Sequence, residues 1–329
     1  MKFILDILKG TVMGLANVIP GVSGGTMAVS MGIYDKLINS ITHLFKDFKR
    51  CFMTLLPILI GMAVGIVGLS VIIEWMFGIV PIQTNLLFIG LIVGGVPMIY
   101  ARVKSSKIKV WHILGFVFFF GLVVGLAFIQ HDTEIEKSKI EAQREEEKKI
   151  EKESDSFQLS EEVQAFEING AHLALMFGAG VIASATMVIP GVSGSMMMML
   201  MGIYTLIIGL VSGVIKSALA GNWDAVLNCV KLLIPFGIGV IVGILGIAKI
   251  IELLISKAEA LTFWCILGLI AGSPFAIIIV NIEKFHKINF VSGFTGLIAL
   301  IVGCIVAFFL GGSNEEGKKD DNKAAKAEA

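Results

Sequence analysis

The sequence predicts an all-α polytopic membrane protein made of two inverted-topology repeats. Each repeat is read as a broken or re-entrant helical hairpin followed by about three transmembrane helices. Three observations carry this. The 329 residues are 56% hydrophobic and 16% charged, with mean hydropathy +0.88, whereas a soluble chain would carry about 25% charge. Much of that charge sits in a few blocks, and the apolar runs between them are continuous instead of alternating, which argues against a barrel. Finally, one stretch occurs twice, as VIPGVSGGTMAVSMGIY over 18–34 and VIPGVSGSMMMMLMGIY over 188–204, identical at 12 of 17 positions.

The first membrane repeat is placed at 1–130. Its opening apolar run, 3–34, is interrupted at Pro20–Gly25. Pro removes a backbone donor and Gly exposes backbone, so a continuous helix disfavours this composition. Neither arm reaches the roughly 20 residues of a full span, which makes a re-entrant hairpin the natural reading. Two half-helices or tilted crossings are the alternative. The stretch 35–50 has Leu37, Ile38, Ile41, Leu44, Phe45 and Phe48 at helical spacing, with lysines and Arg50 between them. It is expected as an amphipathic helix on the cytoplasmic surface.

Spans are expected at about 53–76, 84–101 and 110–130. The link Phe77–Gln83 is uncharged, while the next carries Arg102, Lys104, Lys107 and Lys109. By the positive-inside rule the first link is external and the second cytoplasmic. Residues 131–167 hold 13 acidic and six basic side chains and are read as a linker, either a solvated helix or disordered. The second membrane repeat occupies 168–312. It restates IGMAVGIVGLSVIIE (60–74) as IGVIVGILGIAKIIE (238–252) and GLIVGGVP (90–97) as GLIAGSP (268–274). Residues 313–329 are expected to form a disordered cytoplasmic tail. An odd number of crossings per half inverts the second half, and both termini then fall in the cytoplasm. The N-terminal segment, interrupted by Asp6 and Lys9, is expected to be retained instead of cleaved as a signal peptide.

Broken apolar segments at matching positions of two halves point to a transporter's binding site. In each copy the residues after the break open a half-helix whose free N–H groups favour an anion. The candidate binding set in the first loop is Asn17, Pro20, Gly21, Val22, Ser23, Gly24, Gly25 and Thr26. In the second it is Thr186, Pro190, Gly191, Val192, Ser193, Gly194 and Ser195. Hairpins entering from opposite faces would bring Ser23 and Ser193 close to the bilayer midplane. The plainer alternative is that Pro and Gly only kink helices and permit close packing. Its weight falls because both copies keep Ser and Pro.

Glu74 and Glu252 close equivalent apolar segments. They are read either as carriers of a coupling proton or sodium ion, or as interfacial helix ends. Arg102, Lys9 and Lys249 are the nearest candidates to pair with an anion; Arg102, in a basic loop, reads rather as a topology determinant. Cys51, Cys229, Cys265 and Cys304 have no metal spacing and read as small apolar membrane residues. The five histidines form no HxxxH or HExxH pair, and the composition gives no sign of a nucleic-acid partner. No cofactor motif is present: Gly21-x-x-Gly24 lacks the preceding strand and the following Lys-Ser/Thr of a nucleotide loop. A lipid phosphatase would need clustered His, Arg and Asp, which the sequence does not offer. The sequence carries no signal for oligomeric state.

The paired VIPGVSGG and VIPGVSGS motifs, each leading to MGIY, resemble the bacterial and archaeal polyprenyl-phosphate transporter family. The resemblance spans essentially the whole membrane part. The chain departs from it in the long charged insertion 131–167 and in Ser195, where the first copy has Gly25. The resemblance implies a non-enzymatic carrier in a prokaryotic cell membrane, with membrane lipids around it. Its cargo would be undecaprenyl phosphate, the carrier lipid of cell-wall building, returned from the outer to the inner leaflet. The resemblance, and not composition or spacing, is what names the lipid. The alternative is an ion-coupled secondary transporter of a small anion.

Overall fold

The computed structural model describes residues 2–18, 22–68, 70–104, 107–150, 169–286 and 288–327. For Val18, Ser70, Val71, Glu74, 133–150 and 312–327 it describes the backbone alone. All regular structure among the described residues is helical, and six helices are long and apolar enough to cross a membrane, or up to seven if one bent pair counts as a single span. On α7 (Val110–Ile150), exposed Trp111, Leu114 and Phe118 recur at helical spacing, as do Phe294, Leu297, Ile301 and Phe308 on α13 (Phe290–Ala327). Apolar stripes of that length are lipid-facing surface. The chain is an all-α polytopic membrane protein.

The helices come in the same order twice. First come α1 (Lys2–Val18), α2 (Gly24–Ser30), α3 (Tyr34–Thr42), α4 (Phe48–Ala63), α5 (Ser70–Ile79), α6 (Pro81–Val103) and α7. A π-helical turn, Val64–Gly68, separates α4 from α5. After the linker come α8 (Gly170–Val188), α9 (Gly194–Leu200), α10 (Tyr204–Leu219) and α11 (Trp223–Val280). The short α12 (Ile282–Phe285) and α13 close the chain. Helix α11 breaks at Ala258, where φ is −145° and ψ 54°. Its two arms therefore take the places of α4–α5 and of α6.

Contacts divide the chain into two compact units: Met1–Phe128 with Met187–Val192 and Ala248–Ala329, and Ile129–Thr186 with Ser193–Ile247. In the first unit, α1 and α4 touch backbone to backbone. Gly10 and Gly14 meet the carbonyls of Ile58 and Met62, and Gly61 and Gly65 meet those of Ile7 and Thr11, with no space for a Cβ. Small residues that allow such approach are how helices associate where lipid removes the hydrophobic drive. In the second unit, α8 and the first arm of α11 repeat it: Gly180 against Phe236, Gly239 against Phe177, Gly243 against Val181. Beside them Met176, Leu206, Leu210 and Leu232 form a buried cluster.

The pattern then crosses over within the first unit. Helix α6 packs on α13, with Gly90 and Gly94 against Leu300 and Cys304, and Gly303 against Leu87. The second arm of α11 packs on α7 instead, through Gly268 against Phe116 and Gly272 against Phe120. Gly268 and Gly272 are the repeat equivalents of Gly90 and Gly94. Each repeat thus lends its last helix to the other.

Two expectations about elements shift, and a third, the linker, meets one of its two alternatives. The amphipathic 35–50 stretch is not one helix: α3 ends at Thr42, and Phe48–Arg50 open α4. The linker's described part continues α7 to Ile150, while 151–168 lie outside the described residues. The terminal segment, expected to be disordered, continues α13 as helical backbone to Ala327, in keeping with the helix propensity of its Ala, Lys and Glu.

Candidate functional site

The two repeated loops share a backbone path. Ser23 (φ −111°, ψ 134°) and Ser193 (φ −99°, ψ 130°) are extended residues just before seven-residue helices. Those helices end alike. Gly32 has φ 67° and Gly202 φ 70°, a left-handed conformation that glycine adopts without Cβ strain. Ile33 N–H donates to Ala28 O and Gly32 N–H to Val29 O, at 2.9 and 3.0 Å. Ile203 to Met198 and Gly202 to Met199 repeat the pair at 3.0 and 2.9 Å. This is the Schellman arrangement, which satisfies the last carbonyls of a helix and turns the chain. It gives a physical reason for the second shared block, Met-Gly-Ile-Tyr. The turn sets α9 and α10 at 110° to one another.

The first loop is held within the first unit from two sides. Gly95 of α6 meets Ser30, and Gly25 meets the carbonyls of Met187 and Val188, each too close for a Cβ to fit freely. Thr26, fully buried, accepts a 2.7 Å bond at Oγ1 from Gly191 N–H. Tyr34 donates its hydroxyl to Val188 O at 3.3 Å. Burial pushes the Tyr34 phenol well above its ordinary range, with the Asp35 charge adding to the effect, so it stays a donor. The backbone of the second loop, Met187–Gly191, is thus fastened to the helix that follows the first. Val22 and Val192 are both buried.

Polar equipment differs between the copies. In the first, Asn17 reaches across the break and accepts from Gly24 N–H at 3.1 Å, capping α2 in place of Ser23. Ser23 Oγ is buried and has no hydrogen-bond partner, and neither does Asn17 Nδ2. A buried hydroxyl left unpaired costs about 1–3 kcal/mol. In the second, the position of Asn17 is Met187 and that of Thr26 is Met196. Ser193 bonds to Ser195 at 2.8 Å, and Thr186 turns back to the carbonyls of its own helix, Ile182 and Ala183. Gly194 opens α9. The unit boundary falls between Val192 and Ser193, so Pro190, Gly191 and Val192 belong with the first loop, and Ser193, Gly194 and Ser195 with the second unit. Pro20 and Gly21 lie outside the described residues.

None of the described charged candidates hydrogen-bonds to Ser23. Arg102, at the end of α6, pairs with Asp35 and lies over the Phe263 ring, 4.8 Å from its centroid. Both sit in a pocket against the turn that ends α2. Lys9 is fully buried on α1 and its Nζ has no hydrogen-bond partner. Lys36 pairs with Asp6 at 2.5 Å. Glu252 is already engaged, 2.6 Å from Lys249 Nζ and 3.4 Å from His43 Nδ1. The side chain of Glu74 lies outside the described residues. Sequence reasoning missed Asp35, Tyr34 as a donor, and Phe263. The one available signal was Asp35 itself, which follows the repeated motif where the second copy has Thr205.

A family model described as undecaprenyl phosphate translocase-like matches residues 13–289. The chain is 30% identical over 310 residues to the polyprenyl-phosphate transporter of Staphylococcus aureus strain NCTC 8325, covering 93% of this chain and 95% of that one. It is 24% identical over 291 residues to the polyprenyl-phosphate transporter of Vibrio cholerae serotype O1, covering 83% and 77%. No solved structure matches. A chain with two copies of the loop, matched over most of its length, belongs to the undecaprenyl phosphate translocase-like family.

Proposed function

We propose that this protein is a transporter returning polyprenyl phosphate, the undecaprenyl lipid in particular, from the outer to the inner leaflet of a prokaryotic cell membrane. The phosphate is cradled by the paired Pro-Gly-Val-Ser-Gly loops. The observation that carries the site is Ser23: a buried hydroxyl with no partner, on the extended residue before a half-helix, in a loop whose backbone path recurs in the other repeat. A phosphate oxygen would satisfy it, together with the free Asn17 amide N–H. The substrate itself rests on the relatives' names.

Inverted repeats fit the arrangement, because three spanning helices after each loop reverse the second half, and a two-fold relation between halves accounts for the exchanged last helices. With that inversion the loops enter from opposite faces, and each offers its serine to the headgroup while the isoprenoid chain stays in lipid. Glu252, already between Lys249 and His43, is the described candidate for coupling to a proton or sodium ion.

Proteoliposomes with fluorescent undecaprenyl phosphate test the function. The expected result is inward movement well above that of empty vesicles; equal rates would reject it. A Ser23→Ala/Ser193→Ala double variant with full activity would remove the site but leave the substrate standing. Uptake of a soluble anion without competition from the lipid would favour the small-anion carrier.

A further inference from the structure

The helix between Ser23 and the Gly32 turn is seven residues long, which at 1.5 Å per residue separates its ends by about 10 Å. Hydrogen bonds reach only about 3 Å, so a group bonded to Ser23 is not by that contact held at the far end of the helix. Arg102 nevertheless stands at the far end of that helix in a pocket of its own. The pocket is lined by the turn backbone at Gly32, by Asp35, and by the apolar side chains of Val29, Met98 and Ile99. The Phe263 ring holds the guanidinium plane, and a third of the Arg102 side chain remains exposed. The second repeat has no counterpart: Thr205 stands for Asp35, and the residues equivalent to Arg102 are apolar.

We propose that this pocket is a second station for the phosphomonoester headgroup, separate from the Ser23 loop, and that the Asp35 carboxylate competes with the phosphate for Arg102. A guanidinium fork fits a carboxylate and a phosphate by the same two-bond geometry, so one can replace the other without moving the arginine. Tyr34, between the pocket and the Val188 carbonyl, ties the station to the second loop's backbone. A headgroup thus has two stops along α2. Asp35 keeps the Arg102 station from holding its cargo too tightly.

This station rests on the polyprenyl-phosphate reading, and the test separates the two. Farnesyl phosphate binding to the purified full chain in detergent is measured by calorimetry for wild type, Asp35→Asn, Arg102→Gln and Ser23→Ala, with inorganic phosphate run in parallel. The two pocket variants should move in opposite directions: Asp35→Asn tightens binding about tenfold and Arg102→Gln weakens it about tenfold. A merely structural ion pair would make both variants weaker or both neutral, and either result overturns the station. Should Arg102→Gln fail to fold, Phe263→Leu replaces it, with weakening of about threefold expected and no change contradicting the proposal. If wild type binds and Ser23→Ala weakens it while Asp35→Asn does not tighten, the station alone falls. If no variant binds farnesyl phosphate, the substrate reading falls with it. Inorganic phosphate tightening on Asp35→Asn as strongly as farnesyl phosphate would still support the anion station, with the headgroup alone recognised.

Discussion

The two loops follow the same backbone path and carry different chemistry. Both have an extended serine, a seven-residue helix and a glycine at φ near 70° before the chain turns. Around the first stand Asn17, Thr26, Asp35 and Arg102. At the matching places around the second stand Met187, Met196, Thr205 and apolar residues. In the first, Ser23 is left without a partner; in the second, Ser193 already has Ser195. The shared residues are those that shape the chain. The residues that differ are polar or charged around the first loop and mostly apolar around the second, so under the proposed function the first loop would carry the heavier chemical burden.

Breaking the shared scaffold should have the largest effect and treat the repeats alike. Gly61→Leu and its counterpart Gly239→Leu each press a side chain into a facing carbonyl and should destabilise by about 3 kcal/mol or more, read as a lowered melting temperature in detergent. If one variant were tolerated and the other not, the packing would not be equivalent.

Thr26→Val probes what only the first loop has. It leaves the Gly191 N–H without its acceptor, at a cost of about 1–3 kcal/mol, whereas Met196→Val in the second copy removes no hydrogen bond and should cost less. Thermal unfolding of the two variants side by side reads the difference. A smaller effect is expected for Asn17→Ala. It removes the cap on Gly24 N–H, worth about 1 kcal/mol, and should also slow lipid transport, since the Asn17 amide faces the loop that Ser23 occupies. Loss of stability with transport unchanged would limit Asn17 to capping.

Much of this comparison was legible in the chain. The repeated motif placed both breaks, because Pro and Gly inside an apolar run leave few other options, and IGMAVGIVGLSVIIE with its copy placed the long helices. What was not legible depends on contacts distant in sequence. The exchange of last helices arises from glycines on α6 and α11 that look, in sequence, like ordinary membrane glycines. The break at Ala258 has no Pro or Gly to announce it. The Asn17 cap reaches back across the loop, so it does not resemble a local capping box. Arg102 read as a loop charge because nothing in its neighbourhood reveals Asp35 or Phe263. The Schellman turn could have been read from Met-Gly-Ile-Tyr, where a glycine follows a helical stretch and an apolar residue comes next.

The most direct test of the loop assignment is an experimental structure with a short-chain polyprenyl phosphate bound. Headgroup density is expected within hydrogen-bond distance of Ser23 Oγ, with the isoprenoid chain running outward into lipid. Headgroup density resting against neither Ser23 nor Ser193 would contradict it.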